Sequence, residues 1–240
     1  MIEIEGLTKR FGNTLAVNDL NLSIPAGEFF AFLGPNGAGK TTTLKIIAGL
    51  LRPTSGMVRV AGYDMTRKAL SAKKLISYVP DVPYVYEKLT GREFLYFTAE
   101  LYDLKKDHYE PEVERLLGLF QMQDNGDMLM EGYSHGMRQK VVISSALLHE
   151  PRVIIIDEPM VGLDPRSVRL VKDILKERTR QGTTVFMATH TLSLAEEIAD
   201  RIGIINKGRL ISLGTVQEIK KDTTKAGGLE DVFLRLTAEG

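Results

Sequence analysis

The chain has 240 residues, with 31 Lys plus Arg against 31 Asp plus Glu, 43% hydrophobic residues and no cysteine. Zero formal net charge gives no source for counterion-release binding, so nucleic acid is not an expected partner, and the lack of cysteine excludes disulfides, thiolate metal sites and a cysteine nucleophile. Charges at Glu3, Glu5, Lys9 and Arg10 interrupt the opening stretch where a secretory signal needs an apolar core, and no apolar run approaches the roughly 20 residues that cross a bilayer, so a membrane role is expected through a partner rather than by direct insertion.

The chain opens on β-like runs, IEIEGLTKRF (2–11), TLAVNDLNLSI (14–24) and EFFAFLG (28–34), separated by Gly12-Asn13 and Pro25-Ala26-Gly27. After Lys40, Leu44, Ile47, Ala48 and Leu51 recur at i, i+3, i+4 and i+7, which predicts a helix directly behind the third strand. Short strands are predicted at 56–61 and 76–79. From about 90 to 149 the pattern is helical, with helices at 92–104, 111–120 and 134–148 and no strand. In that stretch Phe94, Phe97 and Leu101 form a stripe at helical spacing, read as core. Beyond Pro151 a strand VIIID, a charged helix at 165–180, a strand TTVFMATH, a helix through 195–198 and the pair RIGIINKGRLISLG follow, with short helices from Thr215 onward. Strands alternating with helices predict a mostly parallel sheet covered on both faces.

The strongest motif is GPNGAGKT: Gly34, Pro35, Asn36, Gly37, Ala38, Gly39, Lys40 and Thr41, with Thr42 next. It follows a predicted strand and opens a predicted helix, the context a phosphate-binding loop requires. Its glycines let successive N–H groups point inward, the helix N-terminus adds partial positive charge, Lys40 reaches β- and γ-phosphates, and the Thr41 hydroxyl suits a Mg²⁺ ligand. VIIIDEP then sets Asp157 and Glu158 at the end of a strand, where open parallel sheets bind ligands. Asp157 is the expected Mg²⁺ partner, and Glu158 is free to polarise an attacking water. The fold class is therefore α/β: a P-loop NTPase core with a mostly parallel sheet, an N-terminal antiparallel β subdomain and a helical insertion. It is read as a single domain, 1–240, divided into a core (about 1–80 and 151–214), a helical part (about 81–150) and a tail (215–240).

GYSHG, residues 132–136, also fits the G-x-S-x-G pattern of a nucleophilic serine, with Asp164 and His190 in the order that would complete a hydrolase triad. That elbow needs a buried strand before its serine, and QMQDNGDMLMEGY is polar and without alternation.

These motifs, in this order and at these separations, resemble the ATP-binding cassette superfamily, the ATPase subunits of ABC transporters. The resemblance implies that Phe11 stacks on adenine with Val17 nearby, that Gly34 to Thr42 are Walker A and Val153 to Asp157 Walker B, that Glu158 is the catalytic glutamate, and that His190 contacts the γ-phosphate alongside Lys40. GLDP at 162–165 resembles the D-loop. YSHGMRQK resembles the signature motif, with His135 in place of a glycine and Met137 in place of the glutamine. It implies that Ser134 and Gly136 act on the nucleotide held by a second ATPase subunit, a copy or a relative. Asp81 stands where the family has the Q-loop glutamine and would hold Mg²⁺ through water. The segment 84–89 is then the expected dock for a transmembrane permease subunit, and an acidic Asp81 followed by YEKLTGREFL resembles the exporter branch. The implied function is an ATP-hydrolysing transport subunit using ATP and Mg²⁺, cytoplasmic and peripheral on the inner membrane face; a soluble ABC-type ATPase in assembly or repair is the alternative.

Overall fold

The computed structural model describes residues 1–221 and 228–238. The strands form two sheets. Strands β1 (Ile2–Phe11) and β2 (Thr14–Ile24) form a hairpin, and β4 (Ser55–Val60) and β5 (Tyr63–Asp64) extend it into a four-stranded antiparallel sheet ordered β2-β1-β4-β5. Strands β3 (Phe29–Leu33), β6 (Ile76–Val79), β7 (Val153–Asp157), β8 (Thr184–Thr189), β9 (Arg201–Asn206) and β10 (Arg209–Gly214) form the second sheet, ordered β10-β9-β3-β8-β7-β6. All its neighbours run parallel except the β9–β10 hairpin.

A strand buried on both faces must be apolar at every position, and β3 is. Phe29, Ala31 and Leu33 enter one core while Phe30 and Phe32 enter the other; Ile154 and Ile156 of β7 divide from Val153 and Ile155 in the same way. Phe30, Phe32 and Phe186 pack with ring centroids 5.3–6.3 Å apart between the two sheets. Burying such a side chain contributes about 2–3 kcal/mol, so this aromatic layer holds the sheets together.

The helices are α1 (Lys40–Ile47), α2 (Ala69–Lys73), α3 (Gly91–Leu101), α4 (Lys106–Leu119), α5 (His135–Leu147), α6 (Pro165–Arg180), α7 (Leu192–Ile198), α8 (Val216–Lys221) and α9 (Leu229–Ala238). Helix α3 starts on a capping box: the Thr90 hydroxyl accepts the Glu93 N–H and the Glu93 carboxylate accepts the Thr90 N–H. Helix α6 starts at Pro165 behind Asp164, whose carboxylate accepts the Ser167 N–H and hydroxyl and is held far below the ordinary range by those bonds.

Several expectations are corrected. Strand β5 and helix α2 were not expected, because two and five polar-interrupted residues carry no period. Helix α4 begins at Lys106 rather than at Pro111, which lies inside it; the proline forgoes one backbone bond without ending the helix. Of the α3 stripe only Phe94 is core, while Phe97 and Leu101 are 38% and 66% exposed. The tail forms α8 and α9 as expected for residues 215–221 and 228–238; the rest of it lies outside the described residues.

The helical part joins the core at an aromatic contact. His149, just past α5, stacks on Tyr102, just past α3, at 3.6 Å between ring centroids, and the Tyr102 hydroxyl donates to the Ile76 carbonyl of β6. Burial pulls the His149 imidazole down to about 4, against an opposing bond to the Ile76 backbone. Its folded pKa lies below the unfolded value near 6.5, so its stabilisation is present above that value and is lost as pH falls toward 4. Unfolding free energy should therefore drop by about 2 kcal/mol more between pH 7.5 and pH 5 in the wild type than in His149→Phe, measured by urea melts; parallel curves would remove His149 as the titrating group.

Candidate active site

The segment from Gly34 to Thr42 leaves β3 and wraps into α1. Gly37 and Gly39 adopt φ of +78° and +107°, where a side chain is strained. A methyl group on Gly34 would overlap the Ile205 carbonyl, and one on Gly39 would overlap the Ala16 carbonyl. The loop is thus pressed between β9 and β2, backbone against backbone. Two bonds fix it there: Gly208 N–H donates to Ala38 O at 2.9 Å, and Asn18 N–H donates to Gly208 O at 2.8 Å.

Lys40, buried at the first position of α1, curls back into the loop and donates to Gly34 O at 2.6 Å and Pro35 O at 3.2 Å. Burial lowers its pKa, opposed by Glu158 and Asp157. Across the loop the Thr41 hydroxyl donates to Asp157 Oδ2 at 2.7 Å. Burial raises the Asp157 carboxyl; the Thr41 bond opposes this, and the neighbouring Glu158 and Asp81 charges add to it. Ala16, Asn36 to Thr42, Asp81, Asp157 and Glu158 line one cavity of about 210 Å³. The oxygen set of Thr41, Asp157 and Asp81 suits a hard cation such as Mg²⁺, which takes one or two carboxylates and completes its shell from water and phosphate. Among the described residues no group of three or more His, Asp or Glu side chains is placed to hold a metal ion.

Glu158 sits at the mouth of the cavity with φ +47°, the left-handed region where a non-glycine residue costs about 1 kcal/mol or more. The strain is held by bonds on every side. Its N–H donates to Ala188 O at 2.9 Å, Thr189 Oγ1 donates to Glu158 Oε2 at 2.9 Å, and the His190 N–H donates to Oε1 at 2.8 Å with His190 Nδ1 2.7 Å from the same oxygen. The carboxylate is thereby aimed rather than free to rotate.

Other expected residues lie elsewhere. Ser134 caps α5, its hydroxyl accepting the Met137 N–H at 3.2 Å, with a 3₁₀ turn (Met130–Gly132) and no strand before it, so the hydrolase elbow is absent. Neither Ser134 nor Gly136 lines the cavity. Phe11 stands 48% exposed at the end of β1, beneath the Lys9 ammonium at 4.9 Å, outside the cavity. Val17 also lies outside the cavity, its side chain fully buried among the core residues, while the adjacent Ala16 lines it. Strand alternation, which puts neighbours on opposite faces, is the signal that separates the two. Thr189, which donates to Glu158, is a functional residue that sequence reasoning missed; its only signal is that it directly precedes His190.

The sequence matches the ABC transporter family over residues 17–161. It is 36% identical over 234 residues to the daunorubicin resistance ATP-binding protein DrrA3 of Streptomyces coeruleorubidus, covering 98% of this chain and 73% of that protein. It is also 36% identical over 229 residues to the bacitracin transport ATP-binding protein BcrA of Bacillus licheniformis, covering 94% and 73%. A solved ATP binding subunit of an ABC transporter is similar in fold with a TM-score of 0.93 at 32% identity, over 98% of this chain and 99% of that one.

Because Gly39 combines positive φ with backbone contact at Ala16, Gly39→Ala should lower the unfolding free energy by about 1–3 kcal/mol. A urea midpoint equal to wild type would contradict the clamped-loop description.

Proposed function

This chain belongs to the ABC transporter family as an ATP-binding, ATP-hydrolysing subunit, and we propose that its loop from Gly34 to Thr42, with Asp157, Glu158 and His190, binds and hydrolyses ATP to drive an exporter. The single observation that carries this is the convergence of Lys40, the Thr41–Asp157 pair and the aimed Glu158 carboxylate at the C-terminal ends of β3, β7 and β8. Export is favoured because the relatives are named for resistance and antibiotic transport; the soluble assembly or repair reading is not favoured on the same ground.

The phosphate chain lies along the loop amides and the α1 N-terminus, with Lys40 turned from the loop carbonyls onto the β- and γ-oxygens. Thr41 and Asp157, with Asp81 at one remove, would hold Mg²⁺, which when bound would supply charge neutralisation to the phosphates. Glu158 accepts a proton from a water as its oxygen bonds to the γ-phosphorus; the bond from that phosphorus to the β–γ bridging oxygen breaks, and ADP leaves with phosphate. His190 and Thr189 keep the carboxylate aligned, and His190 borders the γ-phosphate. Phe11, exposed on β1, offers a face to the adenine.

Ser134 and Gly136 stand outside their own chain's cavity, which supports a second ATPase subunit, copy or relative, presenting them to this subunit's γ-phosphate. Two subunits then close around two nucleotides, and binding energy is released into a transmembrane permease subunit. On this reading residues about 1–80 and 151–214 grip the nucleotide, about 81–150 carry the signature helix, and 215–240 form a tail. Among the described residues no helix is long and apolar enough to cross a membrane. We place the chain on the cytoplasmic face, bound through its partner.

The dock is a groove of about 530 Å³ between the core and α3, lined by Leu50, Val82, Tyr84 and Phe94 with Asp81 and Lys45. Tyr84, Tyr86, Phe97 and Leu101 are exposed around it, and Tyr86 packs edge-on against Phe97 at 5.5 Å. The same segment is tied to the signature region: Glu87 pairs with Arg138 at 3.1 Å and its carbonyl accepts the Glu131 N–H.

Three outcomes test this reading. Glu158→Gln should retain ATP affinity within a few-fold while kcat falls at least about 100-fold; near-normal turnover would dismiss it as the base. Lys40→Ala should weaken ATP binding about tenfold or more in a calorimetric titration, and unchanged affinity would contradict the cradle. Tyr84→Asp with Leu101→Asp should abolish co-purification with an integral membrane subunit from detergent extracts while ATP binding persists; intact capture would move the dock elsewhere.

A further inference from the structure

The first residue of α5 departs from the family pattern, and the structure gives that departure a neighbour. The His135 ring lies directly over Gly162, in the loop between Glu158 and α6: a methyl group on Gly162 would overlap His135 Cδ2 and come within 3.1 Å of Nε2. Gly162 holds φ +77°, so its bare α-carbon face is turned to the ring. The fit is mutual, since a methyl group on Gly136 would come within 2.6 Å of the Gly162 carbonyl. About one turn further along α5 the same loop is held again, by two adjacent residues. Gln139, fully buried, donates from Nε2 to Pro159 O at 3.3 Å, and Lys140 pairs with Asp164 at 3.4 Å.

We infer that His135 is a positioning residue: a planar wedge that seats the signature helix on the Glu158 loop, so that the residues this chain offers to its neighbour's nucleotide and the carboxylate acting on its own move as one unit. This rests on the two-subunit reading above. Its physical basis is shape. A flat ring covers a side-chain-free stretch of backbone that a glycine at 135 would leave bare, and the contact spans from the cap of α5 to the loop four residues past Glu158. The wedge does not line the cavity, so its effect reaches the reaction through the placement of Ser134 and the Glu158 loop.

The test is a double-mutant cycle read in ATPase kinetics, with nucleotide affinity and melting temperature measured alongside. His135→Gly bares the seat, and Gly162→Ala pushes the ring off it. Each should lower kcat about three- to tenfold with ATP affinity within twofold of wild type, and the double variant should fall within twofold of the worse single, because both remove one contact. His135→Phe keeps the flat ring and should retain kcat within twofold. Multiplying losses in the double variant, or Phe as damaging as Gly, would overturn the wedge. A melting temperature that falls in step with kcat in His135→Gly would reduce the wedge to ordinary packing and overturn it equally; Gly162→Ala is left out of that comparison because its φ of +77° strains any side chain. Ser134→Ala, run in parallel, tests the underlying reading by itself: unchanged turnover there removes the signature helix from catalysis, whereas a loss there with His135→Gly at wild-type rates refutes the wedge alone.

Discussion

The constraint on which the site depends is the pressure of two backbones on one loop. Ala16 from the antiparallel sheet and Ile205 from the parallel sheet close on Gly39 and Gly34 from opposite sides, leaving no room for a side chain. A loop held this way does not reorganise to meet a polyanion, so its amides keep the direction that binding needs. The aromatic layer of Phe30, Phe32 and Phe186 makes the pressure possible, since it holds the two sheets at fixed separation. A core contact and a catalytic feature are here the same construction.

The acidic side of the site follows a different logic. Asp157 is buried, its charge offset by Thr41 and Lys40, while the Glu158 side chain, 13% exposed, is turned by its left-handed backbone and fixed by Ala188, Thr189 and His190. Adjacent carboxylates in different surroundings are suited to different tasks, one to a metal and one to a proton. The chain separates them by the end of a strand: β7 terminates at Asp157, and the turn begins at Glu158.

Much of this was legible from sequence because it is written locally. A glycine-lysine-threonine loop between a strand and a helix, and an apolar run ending in two acids, each carry their own context. The same holds for β1, β2, β6 and β7, whose bounds follow from alternation or unbroken apolarity. What escaped was set by partners distant in sequence. Whether Ala16 or Val17 faces the loop depends on which side of β2 meets it; Phe97 and Leu101 keep a helical period, but only packing decides that they stay partly exposed. The place of His135 against Gly162 could not be read at all, since it joins positions 27 residues apart through neither hydrogen bond nor charge.

The left-handed backbone at Glu158 has a consequence for engineering. Asparagine or glycine would occupy that conformation with less strain, so a search for thermostability that scored folding alone would reward losing the glutamate and deliver a sturdier cassette without the carboxylate proposed as its base. The tension between durability and turnover is concentrated in one torsion angle, which makes position 158 a place to leave untouched when the rest of the chain is hardened.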